Sequence, residues 1–157
     1  CSYLCSRCID WIIGYCRRNP HERNPSTMNS NESIEQERNS IAKILAEARQ
    51  SLLRVTPEQL SGELENGTLI IDIRPVEQRQ RDGELPGAIV IDRNVLEWRL
   101  DPSSEHRLPQ VTGYDIRIVI VCNEGYSSSL AAAVLQKLGL HQAVDMIGGY
   151  QAWLAVN

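Results

Sequence analysis

The fold turns on Ile116-Arg117-Ile118-Val119-Ile120-Val121-Cys122-Asn123-Glu124-Gly125-Tyr126-Ser127-Ser128-Ser129-Leu130-Ala131-Ala132-Ala133. From Ile116 to Cys122 every side chain except Arg117 is apolar, the pattern of a strand buried on both faces and therefore central in a parallel sheet. From Ser128 to Leu138 small and apolar residues predict a helix, closed by Gly139. Strand, short loop and helix in this order make half of a crossover unit, so the neighbouring segments should alternate in the same way.

They do. Upstream, Leu69 to Ile73 and Ala88 to Ile91 read as short apolar strands; downstream, Ala143 to Ile147 reads as the last one. Thr56-Pro57-x-Gln59 starts a helix, with Thr as cap and Pro at the first helical position, and Asn66-Gly67 ends it. A short helix is expected over Asn94 to Leu100, then a polar loop from Asp101 to Tyr114, and a final helix from Tyr150 to Val156 after the Gly148-Gly149 turn. The expected fold class is α/β, a three-layer domain with a central parallel sheet flanked by helices, occupying residues 55–157. Ligands in such folds bind beyond the carboxyl ends of the strands, and Cys122 lies at such an end.

Before this domain the pattern changes. Ile34, Ile41, Leu45, Ala48 and Leu52 place one apolar face on a helix over 32–54, with Ser33-x-x-Gln36 as a capping box. Such a stripe serves either as a helix laid on the domain or as a homodimer surface through 33–53. Residues 1–31 end in a stretch rich in Asn, Pro and Ser and read as a disordered tail and linker. Cys5-x-x-Cys8 is half of a zinc site, but no second close pair follows, so no metal and no cofactor are expected.

The chain has 157 residues, 42% of them hydrophobic and 23% charged, which sits near globular averages and argues against wholesale disorder. Its longest apolar runs have six residues, whereas a spanning helix needs about 20, so no membrane partner is expected. No cleavable secretory pattern follows the first apolar run, and a cytoplasmic location is expected. The net charge of −4 is uneven: residues 55–157 alone carry −6. An acidic domain repels phosphate backbones, which makes nucleic acid a poor partner.

Four of the five cysteines lie within the first sixteen residues, and Cys122 stands alone. In the loop Cys122 to Ser128, successive backbone N–H groups can point inward at the sulfur, and the following helix adds the partial positive charge of its N-terminus. Both favour a charged sulfur, so Cys122 is either a nucleophile or persulfide carrier, or a buried cysteine filling space. Gly125 allows a close backbone approach. Ser127 and Ser128 read as caps of the helix, with hydrogen bonds to a persulfide as their other role. Tyr126 either walls a pocket or lies on the surface. None of the histidines, His21, His106 and His141, has a motif that would make it a general base.

Four blocks in order, Leu69-Ile70-Ile71-Asp72-Ile73-Arg74, Gly83-Glu84-Leu85-Pro86-Gly87-Ala88, Ile118 to Cys122 with its loop, and Ile147-Gly148-Gly149-Tyr150-Gln151-Ala152-Trp153, resemble the successive signatures of a rhodanese-like sulfurtransferase domain. The resemblance implies a sulfane sulfur carried as a persulfide on Cys122 and passed from a small sulfur donor to a thiol, cyanide or protein acceptor. It implies an anion-binding loop of Asn123, Glu124, Gly125, Tyr126, Ser127 and Ser128. Two departures bear on the donor. The family's loop arginine is Ser127 here, and Glu124 adds a negative charge; the family's usual histidine before Leu-Pro-Gly is Glu84. Support could come from Arg74, Arg93 or Arg99, with Asp72 beside Arg74, although Asp72 and Arg74 match a pair of the family that is more often structural. The alternative functions are a rhodanese-like binding or redox- and sulfur-sensing module, and a cysteine phosphatase, which would need an arginine to clamp phosphate.

Overall fold

The computed structural model describes residues 39–157. The expectations for residues 1–31, for the helix start at Ser33 and for the Cys5-x-x-Cys8 half-site lie outside the described residues.

Four strands, β1 (Leu69–Asp72), β2 (Ile89–Val90), β3 (Ile118–Val121) and β4 (Ala143–Asp145), form one parallel sheet in the order β2-β1-β3-β4. β3 is central: Leu69 to Asp72 pair with Ile118 to Val121 on one side, and Ile118 to Ile120 pair with Ala143 to Asp145 on the other. All four of its residues are buried. Its side chains alternate between two cores, as the two-residue period of a strand requires. Ile118, Ile120 and the following Cys122 pack with Leu96, Leu100, Ala131, Ala132 and Leu135 on one face. Val119 and Val121 pack with Leu60, Leu85, Val144, Met146 and Tyr150 on the other. Being apolar on both faces is thus what places this strand between two helical layers.

The helices are α1 (Ile41–Gln50), α2 (Leu60–Glu65, entered through a 3-10 turn at Pro57–Gln59), α3 (Val76–Asp82), α4 (Leu96–Leu100, entered through a 3-10 turn at Arg93–Val95), α5 (Ser127–Lys137) and α6 (Gly149–Val156). α4 and α5 cover one face of the sheet and α2 and α6 the other, with α1 packed outside α5. The expected three-layer α/β architecture is the one observed.

Boundaries differ in instructive ways. α1 ends at Gln50 instead of continuing to residue 54, because Leu52 turns inward to 8% exposure and the chain must then extend to bring Arg54 onto Asp145. At its start, Ser40 caps the helix, its hydroxyl accepting the Lys43 N–H at 3.2 Å. The strands are shorter than their apolar runs by one to three residues; Ile73, Ile91, Cys122 and Met146 stay buried just past the strand ends, while Ile147 is exposed. The sequence carries no signal for α3: its residues are mostly charged, none is buried, and its cap, Pro75, offers no side-chain acceptor. The loop after α4 is polar in composition, yet Leu108 and Val111 anchor it in the core.

Because the sheet is parallel, the carboxyl ends of β1, β3 and β4 lie along one edge. Asp72-Ile73-Arg74, Cys122 with its loop, and the turn at Gly148-Gly149 are thereby brought together.

Candidate active site

The Cys122 side chain caps the end of β3, 7% exposed, at the bottom of a cavity of about 420 Å³. Ile73, Arg74, Pro75, Gln78, Arg93 and the loop itself line that cavity. Cys122 Sγ accepts the Gly125 N–H at 3.2 Å and the Ser128 N–H at 3.4 Å. Its own S–H faces Ser128 Oγ at 3.2 Å. The loop therefore wraps the sulfur with inward-pointing amides, a nest suited to negative charge. Among the described residues, the Tyr126 and Ser127 N–H groups have no protein acceptor.

Ser128 is completely buried and its hydroxyl donates to Asp145 Oδ2 at 3.2 Å, so it presents lone pairs to the thiol. The expectation that it serves as a helix cap is not what is observed. Tyr126 occupies the cap position of α5, without a side-chain cap, and Ser128 contacts the sulfur instead. Ser127 is exposed at the cavity wall. Tyr126 both walls the cavity and is 57% exposed.

A second layer of contacts fixes the loop from below. The first amides of α6 cap its carbonyls: Tyr150 N–H donates to Cys122 O at 2.8 Å and Gln151 N–H to Asn123 O at 3.0 Å. The Gln151 side chain also donates to Asn123 Oδ1 at 3.0 Å and to Asp82 Oδ2 at 3.0 Å. Asp82 is held below the usual carboxylate range, first by the hydrogen bond from Arg81. Gly149 has a φ of +61°, and a Cβ there would collide with Cys122 O and, at 2.7 Å, with the Glu124 N. Gly125, at φ +78°, presses against Gly148 N, 2.8 Å from where its Cβ would stand. These two glycines let two turns of backbone lie against each other without side chains between them.

Of the four expected supporting residues, the structure separates three kinds. Asp72 and Arg74 are a fully buried pair, Arg74 Nη2 to Asp72 Oδ2 at 2.7 Å; Arg74 also donates to Gly83 O at 3.0 Å and lies 3.5 Å from the Tyr150 ring centroid. Their bonds hold backbone and core together. Arg93 lines the cavity, with its Nη1 on Glu97 at 2.7 Å. Arg99 does not line it: its Nη1 donates to His106 O at 2.8 Å, because α4 points it toward the long loop. Glu84, expected beside the sulfur, lies outside the cavity and pairs with Arg79 at 3.3 Å, 68% exposed. Glu124 is the carboxylate that does line it.

Four residues at this site carry no motif: Arg49, Arg54, Ser129 and Asp145. Asp145 is completely buried and accepts from Arg54 Nε at 2.8 Å and Nη2 at 3.0 Å, and from Ser129 Oγ at 2.7 Å. One signal could have found it: an acid inside an apolar strand requires a buried partner. Its partner, 91 positions away, has no local mark.

The Rhodanese-like domain profile matches residues 56–156. Over 100 residues the chain is 32% identical to the thiosulfate sulfurtransferase GlpE of Pseudomonas fluorescens, covering 64% of this chain and 83% of that one. Over 102 residues it is 34% identical to the adenylyltransferase and sulfurtransferase UBA4 of Candida albicans, covering 64% of this chain and only 23% of that much longer relative. Among solved structures, a Rhodopseudomonas palustris protein described as of unknown function and a possible tyrosine phosphatase superposes with a TM-score of 0.68 at 31% identity, over 75% of this chain and 91% of that one. A human single-domain sulfurtransferase superposes with a TM-score of 0.56 at 24% identity, over 66% and 96%, a likeness of fold.

Proposed function

This chain belongs to the rhodanese-like domain family, and from that premise we propose that it is a sulfurtransferase carrying sulfane sulfur as a persulfide on Cys122. The observation that supports this best is the convergence of the Gly125 and Ser128 amides on Cys122 Sγ, beneath a cavity lined by unpaired amides and Arg93. In the first half-reaction the Cys122 thiolate attacks the outer sulfur of the donor. The donor's S–S bond breaks, its electron pair leaves with the remaining fragment, and a Cys122 persulfide is left. In the second, an acceptor thiolate or cyanide attacks the terminal sulfur, takes it, and returns the electron pair to Cys122. No oxidant or metal is consumed. The amides of Tyr126 and Ser127 are suited to the terminal sulfur, where charge rests between the two steps. When Cys122 is ionised, the Ser128 hydroxyl can turn to donate to it.

The charge around the cavity argues about the donor. Glu124 repels each negative charge of a donor by about 1 kcal/mol at roughly 4 Å in a solvated setting, so a dianion by about 2 kcal/mol. Arg93 opposes it but is itself paired with Glu97. A donor of lower charge, such as an organic persulfide with one charge on its terminal sulfur, fits better than thiosulfate.

Incubation of the full chain with a polysulfide should add the mass of one sulfur atom to the peptide carrying Cys122 and leave Cys122→Ser unmodified there. Absence of that adduct with polysulfide, persulfide and thiosulfate alike would sink the proposal. Hydrolysis of an aryl phosphate lost in Cys122→Ser would redirect it to phosphate chemistry, which the lack of any arginine between Cys122 and Ser129 argues against.

A further inference from the structure

The loop around Cys122 contains no cation, yet two guanidinium groups grip it from outside. Arg49, in the last turn of α1, donates from Nη2 to Gly125 O at 2.8 Å and from Nε to Ser129 Oγ at 3.1 Å. Its guanidinium carbon also lies 5.5 Å from the Tyr126 ring centroid. Arg54, in the segment after α1, donates from Nη2 to the same Gly125 O at 3.2 Å while forking onto Asp145. Asp145 in turn holds Ser128 and Ser129. Both arginines are half-buried, and both belong to residues ahead of the segment that the family profile covers.

Two cations on one carbonyl oxygen have a geometric and an electrostatic consequence. The peptide unit between Gly125 and Tyr126 is planar and trans, so fixing the carbonyl toward α1 points the Tyr126 N–H the opposite way, away from α1. Withdrawing electron density at the oxygen also makes that N–H a stronger donor, because hydrogen bonds along a chain polarise one another. The preceding peptide carries the Gly125 N–H that reaches the sulfur. Arg54 adds a separate link, since Asp145 orients the Ser128 hydroxyl on the thiol.

We propose that Arg49 and Arg54 are positioning residues for Cys122, which hold the Gly125 carbonyl from outside the loop and so set the amide cradle, and that α1 is a working part of the site. They supply from behind the positive charge that Ser127 does not supply from within. The proposal rests on Cys122 being the reactive group, and it deepens the persulfide reading without depending on which donor is used.

The test uses the full chain and two readouts. One is the alkylation rate of Cys122 by iodoacetamide at pH 7 and at pH 10, followed on the peptide that carries it because Cys1, Cys5, Cys8 and Cys16 also react. The other is steady-state sulfur transfer from polysulfide to an acceptor thiol, which regenerates the Cys122 thiol each cycle, with kcat and KM separated. Arg49→Ala should lower the pH 7 to pH 10 rate ratio roughly threefold or more, and lower kcat about tenfold with KM little changed, since one indirect contact should weigh less than a removed oxyanion-hole donor. Arg49→Lys, which can reach the carbonyl with one charge but cannot fork to Ser129, should recover part of both. Arg54→Lys should resemble Arg49→Ala, and Lys43→Ala, on the same helix, should match the native protein. An unchanged rate ratio in Arg49→Ala overturns the proposal. So does equal loss in Arg49→Ala and Arg49→Lys that tracks a fall in Tm, which would mark the residue as packing only. If the native protein forms no persulfide, the functional reading fails, while the alkylation ratio still decides this one.

Discussion

At the level of single residues, the balance of charge at the cavity wall is set by Glu124, Ser127 and Arg93. Glu124 is exposed, so water screens its repulsion of an anionic donor, and its weight is about 1 kcal/mol for each charge on the donor, a factor of roughly five in rate per charge. Ser127, the first residue of α5, is exposed at the cavity wall. Glu124→Gln should therefore raise kcat/KM for thiosulfate by up to about thirtyfold, and Ser127→Arg should raise it further, with a gain of only about fivefold from Glu124→Gln for a monoanionic donor. Steady-state assays with thiosulfate and with an organic persulfide, a monoanion at its sulfur near pH 7, separate the two effects; equal gains with both donors would contradict the electrostatic account. Cys122 itself is legible in the sequence because a lone cysteine ends the most apolar strand. Asp145, Arg54 and Arg49 are not, because their meaning depends on meetings across 91 positions, Arg54 with Asp145, and across 76, Arg49 with Gly125.

At the level of elements, the site is a junction between the loop after β3 and the turn that opens α6. Gly149 is where they touch, and the atoms it faces are backbone, which cannot swing aside as a side chain could. Gly149→Ala should push the loop off the first amides of α6, breaking the bonds from Tyr150 and Gln151 to Cys122 O and Asn123 O. We expect Tm to fall by at least about 8 °C and persulfide formation to be lost. Calorimetry together with the mass adduct checks this, and a variant with native Tm would show that the turn has room to relax. By contrast, Gly67, with nothing within 4 Å of its missing Cβ, should tolerate Ala with only the strain of its φ of +79°. The sequence marks the Gly148-Gly149 turn by composition. That it bears on the Cys122 carbonyl depends on the parallel register of β3 and β4, which places both ends on one edge.

Across the whole molecule, stability in acid depends on carboxylates that the fold keeps charged. Glu63 accepts Arg117 Nη2 at 2.7 Å and Thr68 Oγ1 at 2.7 Å, tying α2 to the start of the central strand. The Arg117 hydrogen bond is the largest cause that holds Glu63 below the usual glutamate range. A carboxyl depressed in the folded state binds fewer protons there than in the unfolded chain. Its contribution is therefore present above the unfolded value and lost as pH falls through the folded one. Glu63→Gln should lower Tm by about 1–5 °C at pH 7, and the gap should close as pH drops below about 4. A gap of the same size at pH 3 and pH 7 would show that shape, not charge, is what Glu63 contributes.

The sequence alone determined the architecture. Apolar runs of four to seven residues alternating with helical patterns can bury both faces only as a parallel sheet between helices, and periodicity is a local property of the chain. It also marked the sulfur, because a cysteine ending a central strand must lie on the edge where loops gather. The tertiary structure alone decided what surrounds that sulfur. It brought Arg49, Arg54 and Asp145 to the back of the loop, sent Arg99 and Glu84 elsewhere, and gave Ser128 to the thiol instead of the helix. The reason is physical: a charged side chain is positioned by where its partner lies in space, and no local pattern along the chain records that distance.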